Sequence, residues 1–328
     1  MTQTVEGNIE TQTKGEAQEI KTTPPFYSGD YVECRGWRGK LEDAENPFGE
    51  SGKERLVLRD CYGIGYFHDP VSDLVYASPR MTQESLIQAY QEPGAHLDTR
   101  EFKNFNRSDW ESKRDRTFVV SNLKVQLAKQ YLKIGDSIID VGCHVGFFVM
   151  LAREAGYECD GIDVSLDSVR VGVEDLNIQG LRATTIEDAA IADCSYHAVV
   201  IWDVLEHVYN LSDVMNHCKR ILKPGGYFFA HVPNHRGLSN RLKTLRSKLG
   251  FRNGEYHCFG FPWHLYNFSP KSLRVLVESV GMQPIRTASF SHRSKNGKDN
   301  TGFLGNINKG IEGRALSDNL YIVARKAE

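Results

Sequence analysis

The sequence predicts an α/β protein in which a mostly parallel sheet carries helices on both faces and is preceded by a small β-rich module. From about residue 115 onward, short apolar β-like runs alternate with helical patterns across short connections, which is typical of βαβ units. Residues 26–95 differ, because aromatic residues and glycines surround brief β-like runs. The 328 residues suffice for one large domain and a smaller one.

Composition and charge exclude several classes of protein. The formal net charge of −2 argues against nucleic acid as the main partner. The seven cysteines are scattered without paired spacing, which indicates reduced thiols and a cytoplasmic location. The first residues lack the apolar segment of a secretory signal, and no apolar run reaches membrane-spanning length. We therefore expect a cytoplasmic protein with no membrane partner.

The N-terminal third of the chain divides into three segments that differ in composition. Residues 1–25 offer almost nothing to bury and are predicted to be a disordered tail. Residues 26–95 form the β-rich module, which ends in a helix predicted over 82–91 with a threonine as its N-cap. A polar linker over 96–114 then leads to the large domain over 115–328.

The elements of the large domain follow from local patterns. Each strand is a short apolar run, and each helix has apolar residues three or four positions apart, with glycine closing several of them. We predict strands over 137–142, 158–165, 182–187, 227–234, 283–292 and 319–326, and helices over 113–133, 146–156, 166–179, 212–226 and 269–281. The stretch 196–207 is predicted to pass from a strand directly into a helix, and 293–317 to form a loop.

A glycine turn follows the first strand of this domain, in the stretch "DVGCHVGFF". Gly142 and Gly146 stand at a strand-to-helix turn, where open α/β sheets bind ligands. The nicotinamide dinucleotide fingerprint G-x-G-x-x-G would need glycine at His144 and Phe147 as well. Because pyrophosphate requires the close backbone approach that glycine gives, these two residues argue against NAD.

Two acids instead indicate a cofactor without phosphate contacts. Asp140 ends the first strand, and Asp163 ends the next one about twenty residues later, which is the usual place for an acid that binds ribose hydroxyls. An adenosyl ribose joined to a cationic amino-acid end suits this pair of carboxylates. The predicted cofactor is therefore S-adenosylmethionine.

The same motifs resemble a known family. Five stretches are similar to successive motifs of class I S-adenosylmethionine-dependent methyltransferases, in the "LEH" branch that includes ubiquinone-type O-methyltransferases: "DVGCHVGFF", "GIDVS", "TTIEDAAIADCSYHAVVIWDVLEHV", "RILKPGGYFFAHVPN" and "HLYNFSPKSLRVLVESVGM". The resemblance implies a Rossmann-like, seven-stranded, mostly parallel sheet ending in an antiparallel hairpin. It also implies a cap over the acceptor at 234–268. The N-terminal module resembles a zinc ribbon that keeps one cysteine of each pair, Cys34 and Cys61, so we expect no metal there.

The resemblance assigns the cofactor-binding residues. It implies that the methionine end is lined by the glycine turn, that the ribose and adenine meet the second strand, and that the methyl group faces the residue after the fourth strand. The residues at the methionine end would be Asp140, Gly142, Cys143, His144 and Gly146. Those at the ribose and adenine would be Asp163, Val164, Thr185, Ile186 and Glu187, and the residue facing the methyl group would be Asp203. His144 stands where the family usually has glycine, and histidine tolerates a positive φ better than most residues.

The segment "DVLEH" supplies the candidate catalytic residues. If it is helical, Asp203, Glu206 and His207 share one face at i, i+3 and i+4, where they would orient the acceptor. A divalent ion on these three is a lesser alternative, as in ubiquinone-type relatives. His264 is predicted to be the general base, since histidine titrates near neutral pH.

The predicted activity is methyl transfer to a small molecule, with a hydroxyl oxygen favoured over nitrogen or carbon. The basic stretch 235–252 is interpreted first as a solvated helix face, and the alternative is that it attracts an acidic or carrier-bound acceptor. The alternative is a catalytically inactive binding or scaffold protein with the same fold.

Overall fold

A computed structural model describes residues 27–28, 31–34, 37–49, 51–60, 62–91, 116–249, 259, 263–290 and 317–328. The predicted tail over 1–25, the whole linker over 96–114, and the loop over 293–317 except for residue 317 lie outside these residues. No described helix is both long and apolar enough to cross a membrane.

The N-terminal module is β-rich, as predicted. Its elements are β1 (Tyr27–Ser28), β2 (Tyr31–Cys34), β3 (Trp37–Glu42), β4 (Arg55–Arg59), β5 (Gly65–Asp69), β6 (Leu74–Ser78), β7 (Arg80–Met81) and helix α1 (Gln83–Gln91). One sheet has the strand order β1-β2-β3-β7, and β4, β5 and β6 belong to a second sheet. Tyr66 is fully buried in this module, and His68 Nε2 lies 2.8 Å from Asp73 Oδ1.

The large domain contains six described helices and eight strands. Through the first half these are α2 (Arg116–Ala128), β8 (Ser137–Val141), α3 (Phe147–Glu154), β9 (Glu158–Asp163), α4 (Leu166–Glu174), β10 (Leu181–Ala183) and β11 (Tyr196–Trp202). The second half has α5 (Leu211–Ile221), β12 (Leu222–Pro233), α6 (Leu238–Lys248), β13 (Tyr266–Asn267), α7 (Pro270–Ser279), β14 (Met282–Phe290) and β15 (Asn319–Lys326). Three of these helices start at an N-cap residue whose side chain accepts a hydrogen bond from the first turn: Ser165, Asn210 and Ser269.

The central sheet has seven strands in the order β10-β9-β8-β11-β12-β15-β14. The first five are parallel, and β15 pairs antiparallel with both of its neighbours, which confirms the predicted Rossmann-like sheet with a final hairpin. Successive side chains point to opposite faces, so Ile139 and Val141 join one hydrophobic core, and Ile138 joins the other. Both faces are covered, which explains the nearly continuous apolar strands.

Strand β13 connects the two parts of the protein. It lies in the predicted cap segment, and Tyr266 and Asn267 pair with Tyr76 and Val75 of β6. The second sheet of the module is therefore β13-β6-β5-β4, with one strand supplied by the large domain. The module is thus hydrogen-bonded to the segment that was predicted to cover the acceptor.

The predicted helix over 203–207 is wrong, because this stretch is a turn. Asp203 has a φ of 59°, which a right-handed helix does not allow. The amides of Leu265 and Tyr266 donate to the carbonyl oxygen of Glu206 at 2.8 and 3.2 Å, so this carbonyl accepts from the cap segment. Within the turn, His207 N–H donates to the carbonyl of Val204 at 2.9 Å.

Two other boundaries differ from the predictions. The helix expected over 212–226 ends at Ile221, and the residues from Leu222 onward open β12. Pro224 explains this, since it disfavours helical geometry in the residue before it. The strand expected over 182–187 is shorter in the structure, where β10 has three residues.

Candidate active site

The glycine turn after β8 has a backbone that requires small or tolerant residues. Gly142, His144 and Gly146 have φ values of 81°, 52° and 87°. A Cβ on Gly142 would lie 2.2 Å from Cγ2 of Val204, in the turn that follows β11. The turn after β8 therefore packs directly against the turn carrying the candidate catalytic residues.

The amides of the glycine turn bond within the protein. Gly142 N–H and Cys143 N–H both donate to the carbonyl of Ile162, at 2.8 and 3.0 Å. His144 N–H donates to Asp163 Oδ2 at 2.8 Å, and Gly146 N–H donates to the carbonyl of Cys143 at 2.9 Å. These four amides offer no cradle for a pyrophosphate, in keeping with a cofactor that lacks one.

Asp163 joins two loops at the carboxyl ends of β8 and β9. Besides the bond from His144, its Oδ1 accepts from Ser165 N–H at 2.8 Å. Each carboxylate oxygen can accept a second hydrogen bond, so the side chain can still receive ribose hydroxyls. Val164 next to it is partly exposed.

The residues predicted at the adenine rim differ in exposure. Ile186 is buried in the same hydrophobic core as Ile139, and Glu187 is exposed. The hydroxyl of Thr185 is already bonded, because it donates to Asp188 Oδ2 at 3.0 Å and accepts from Asp188 N–H at 3.2 Å. Cys143 is buried, with its sulfur against Gly161.

Asp140 is a buried acid whose oxygen Oδ1 has no hydrogen-bond partner within the described part of the chain. The pKa of Asp140 is raised to about 7, chiefly by burial; the nearby Lys124 ammonium opposes part of the rise, and the Asp163 carboxylate adds to it. An unsatisfied buried carboxylate costs free energy until a cation or a donor reaches it. The site therefore fits the ammonium end of an amino-acid cofactor.

We expect the affinity for S-adenosylmethionine to fall as the pH is lowered through 7. An ammonium binds the ionised form of Asp140, and protonation competes below the pKa of about 7. The dissociation constant should rise by up to about tenfold per pH unit in that range. Calorimetric titrations at several pH values would measure this. Asp140→Asn should bind weakly with little pH dependence, and an equally steep dependence in that variant would contradict the assignment.

Asp203 lies between two basic side chains that the sequence analysis did not assign to it. Its Oδ1 is 2.5 Å from His231 Nδ1, and its Oδ2 is 3.5 Å from Lys124 Nζ. The Lys124 ammonium also lies 5.4 Å from the centre of the Trp202 ring. Lys124 lies on the face of α2 that buries Ser121 and Val125. A charged residue on the buried face of a helix is the sequence feature that could have identified Lys124 as a site residue.

Glu206, His207 and His264 form a compact group, with one donor atom from each within 4.8 Å of the others. His207 Nδ1 lies 2.9 Å from the carbonyl oxygen of Trp263, to which a ring N–H can donate, so Nε2 is then the basic nitrogen of the neutral ring. The rings of His207 and His264 are 4.9 Å apart. Glu206 is buried, and burial together with nearby Asp203 raises its pKa well above the usual range.

The structure thus groups the candidate catalytic residues differently from the prediction. Asp203, Glu206 and His207 do not share a helix face, because Asp203 is turned toward Lys124 and His231. His264 takes its place beside Glu206 and His207. The prediction that His264 converges on this cleft is supported by its position, whereas its role as a base stays a prediction.

The N-terminal module reaches the same site through Tyr90 of α1. The Tyr90 ring packs edge-on against His207 and Trp263, with centroid distances of 6.5 and 5.1 Å. Burial raises the pKa of Tyr90 strongly, and the nearby acids Glu206 and Asp163 add to the rise. Tyr90 was not found from the sequence, since nothing in its local pattern distinguishes it from a core residue.

Arg80 of β7 fixes the turn after β11 from the module side. Its Nη1 donates to the carbonyl of Tyr209 at 3.0 Å and to the hydroxyl of Tyr266 at 2.8 Å. The guanidinium lies 4.0 Å from the centre of the Tyr209 ring. Tyr209 is two residues past His207, so Arg80 links the turn after β11 to β13.

Arg80→Met is expected to lower kcat about tenfold while leaving the affinity for S-adenosylmethionine nearly unchanged, because loss of positioning acts on the turn and not on the glycine loop. The matched control is Arg55→Met, which changes an exposed arginine of β4 in the same module. Steady-state kinetics and calorimetry would distinguish the two. A parallel loss of cofactor binding in Arg80→Met would instead indicate general destabilisation.

The sheet, the glycine turn and the two strand-end acids define a class I methyltransferase with S-adenosylmethionine as its cofactor. The chain belongs to the methyltransferase family: residues 114–287, more than half of the chain, match the family model described as a methyltransferase domain.

Relatives and solved structures extend this comparison. The chain is 31% identical over 159 residues to the ubiquinone biosynthesis O-methyltransferase of Bordetella avium, covering 46% of this chain and 63% of that protein. The enzyme of the same name from Actinobacillus pleuropneumoniae is 32% identical over 109 residues, covering 30% and 47%. The chain spans about half the length of the curated relatives it matches. A SAM-dependent methyltransferase structure from Archaeoglobus fulgidus is 20% identical with a TM-score of 0.47, covering 67% of this chain and 100% of that one.

Proposed function

We propose that this protein transfers the methyl group of S-adenosylmethionine to a hydroxyl oxygen of a small-molecule acceptor. The observation that carries the proposal is the packing of Gly142 against Val204, two residues before Glu206, which supports a cleft shared by the cofactor turn and the group of Glu206, His207 and His264. The relatives named as O-methyltransferases support oxygen as the acceptor atom.

The chain supplies a separate group for each part of the cofactor. Bound S-adenosylmethionine supplies a methyl group activated by its sulfonium. Asp140 would hold the ammonium end, because its buried oxygen lacks a partner among the described residues. Asp163 would accept from the ribose hydroxyls while holding the amide of His144. Val164 would border the adenine.

The histidine pair would handle the acceptor's proton. We infer that His264 removes the proton of the hydroxyl group as it becomes an ether, since it lies beside Glu206 and His207 in the cleft. The carbonyl of Trp263 would hold His207 in one orientation. Glu206, whose raised pKa favours the protonated form, would donate a hydrogen bond that orients the acceptor.

The group Glu206, His207 and His264 also has the donor types of a divalent-metal site. In that variant of the proposal the ion would hold the acceptor oxygen and lower its pKa. Activity that survives EDTA supports the histidine base. Activity that EDTA abolishes and Mg²⁺ or Zn²⁺ restores supports the metal.

The proposal is tested by incubating the purified chain with S-adenosylmethionine and a panel of acceptors. The panel should contain neutral hydroxyl compounds, phosphorylated hydroxyl compounds and amines, with mass spectrometry locating any added methyl group. We expect methyl ethers, with acidic or carrier-bound acceptors preferred. Binding of the cofactor without transfer to any acceptor would favour the inactive scaffold. A cytoplasmic location stays a prediction from cysteine usage.

A further inference from the structure

Helix α1 of the N-terminal module packs on two hydrophobic cores. Leu86 is buried in the core that also contains Ile139 of the central sheet, whereas Ala89 is buried in the core of the module. Residues four positions apart lie on the same face of a helix, so Tyr90 lies on the face of Leu86. Tyr90 packs against the same core as Leu86. The helix therefore directs Tyr90 toward the large domain.

The first turn of α1 is bonded to strand β3. Thr82 N–H donates to the carbonyl of Lys40 at 2.9 Å, and Lys40 N–H donates to the Ser85 hydroxyl at 2.9 Å. Ser85 N–H donates to the Thr82 hydroxyl oxygen at 3.3 Å, as in an N-cap. Because the start of the helix is bonded and Leu86 is buried, the direction of α1 is determined at both points. Tyr90, in the last turn, is placed accordingly.

The Tyr90 ring lies against the residues that orient His207. The His207 ring has Nδ1 at 2.9 Å from the carbonyl oxygen of Trp263 and Nε2 at 3.9 Å from Glu206 Oε1. The Tyr90 ring meets the Trp263 ring at a centroid distance of 5.1 Å and the His207 ring at 6.5 Å, with interplanar angles of 60° and 81°. Edge-on geometry of this kind is favourable for aromatic pairs. The Tyr90 ring therefore supports the orientation that directs Nε2 toward Glu206.

Tyr90 is a neutral side chain from a segment outside the family match. Burial raises its pKa strongly, and the nearby acids Glu206 and Asp163 add to the rise, so the phenol stays protonated. Its ring thus adds no charge beside these two acids. The match to the methyltransferase family model begins at residue 114, after the module. The contact between Tyr90 and His207 is therefore not explained by membership of that family.

We propose that Tyr90 is a positioning residue of the acceptor site, through which the N-terminal module holds the His207 ring in its working orientation. The inference rests on the proposed function, in which the histidine pair handles the proton of the acceptor. Tyr90 acts through His207, and orientation of a group that takes part in proton transfer affects the chemical step. Loss of the Tyr90 ring should therefore lower turnover more than it lowers the affinity for S-adenosylmethionine.

The first experiment compares two changes of Tyr90 in the full-length chain. Tyr90→Leu keeps an apolar side chain but removes the ring, and it should lower kcat at least about tenfold with cofactor affinity within about twofold. Tyr90→Phe keeps the ring and should retain kcat within about threefold. The matched control is Ile87→Ala, which changes an exposed residue of the same helix and should leave both quantities unchanged. Steady-state kinetics with a methylated acceptor and calorimetry with S-adenosylmethionine measure them.

The second experiment needs neither acceptor nor cofactor. Nitrogen-15 spectra of protein labelled at histidine show which ring nitrogen carries the proton, and the His207 signal is identified by its absence in His207→Ala. At mildly alkaline pH we expect the proton on Nδ1 in the unchanged protein, because that nitrogen faces the carbonyl of Trp263. Tyr90→Phe should keep this signal, and Tyr90→Leu should show a mixture of the two tautomers.

The outcomes separate this inference from the proposed function. An unchanged His207 signal together with unchanged turnover in Tyr90→Leu would overturn the role of Tyr90. So would an equal loss of turnover in Tyr90→Phe, which would assign the effect to the hydroxyl, or a parallel fall in cofactor affinity and melting temperature, which would indicate general destabilisation. A His207 signal that changes in Tyr90→Leu, in a protein that methylates no acceptor, would support positioning by Tyr90 and contradict the proposed function.

Discussion

His264→Ala is expected to lower kcat by at least about a hundredfold while the affinity for S-adenosylmethionine stays nearly intact. The reason is its place in the group with Glu206 and His207, whose donor atoms lie within 4.8 Å of one another. The strand-end acids that would bind the cofactor are separate from this group. The measurement is steady-state turnover with an identified acceptor, together with calorimetric titration of the cofactor.

Two further variants make this test selective. His207→Ala should also reduce turnover, because it removes the ring that lies 4.9 Å from His264 and is placed by the carbonyl of Trp263. His217→Ala is the control, since it changes a partly exposed histidine of α5. Turnover that survives in His264→Ala but is lost in His207→Ala would transfer the role of base to His207. Survival in both would place the base elsewhere.

Asp163→Ala is expected to weaken S-adenosylmethionine binding by more than about tenfold. The variant removes the predicted acceptor of the ribose hydroxyls. It also releases the amides of His144 and Ser165, both of which donate to this carboxylate at 2.8 Å. Because the glycine turn depends on the first of these bonds, the loss should exceed that of a ribose contact alone. Calorimetric titration of the purified variant measures the change.

Asp167→Ala provides the control for Asp163→Ala, because it removes an acid four residues later in the first turn of α4. We expect its cofactor affinity to stay within about twofold of the unchanged protein. Urea unfolding without cofactor separates the two roles of Asp163, since loss of the amide bonds alone should cost about 2 kcal/mol. Unchanged affinity in Asp163→Ala would contradict the cofactor assignment.

The N-terminal module has a structural connection to the candidate site. It contributes Tyr90 beside His207, and Arg80 beside the turn after β11. It also shares a sheet with β13, whose Tyr266 amide donates to the carbonyl of Glu206. Changes in the module are therefore expected to affect the acceptor side of the site more than the cofactor side.

Much of the large domain could be predicted from the sequence, because its information is local. Apolar runs alternating with helical periodicity determined the strands and most helices, and the final antiparallel pair came from the family resemblance. The glycine turn was identifiable because its positive φ values favour glycine, and His144 adopts one at 52°. Asp140 and Asp163 were identifiable because Asp140 is the penultimate residue of β8 and Asp163 the last of β9, and the carboxyl ends of parallel strands lie at the same edge of the sheet.

The acceptor side of the site was decided by contacts between distant residues. Glu206 lies in a turn because amides nearly sixty residues later bond to its carbonyl, and Asp203 faces Lys124 and His231 from two other elements. A local pattern records the side chains that an element carries. Which of them meet depends on long-range packing and hydrogen bonding, which exist only once the chain has folded.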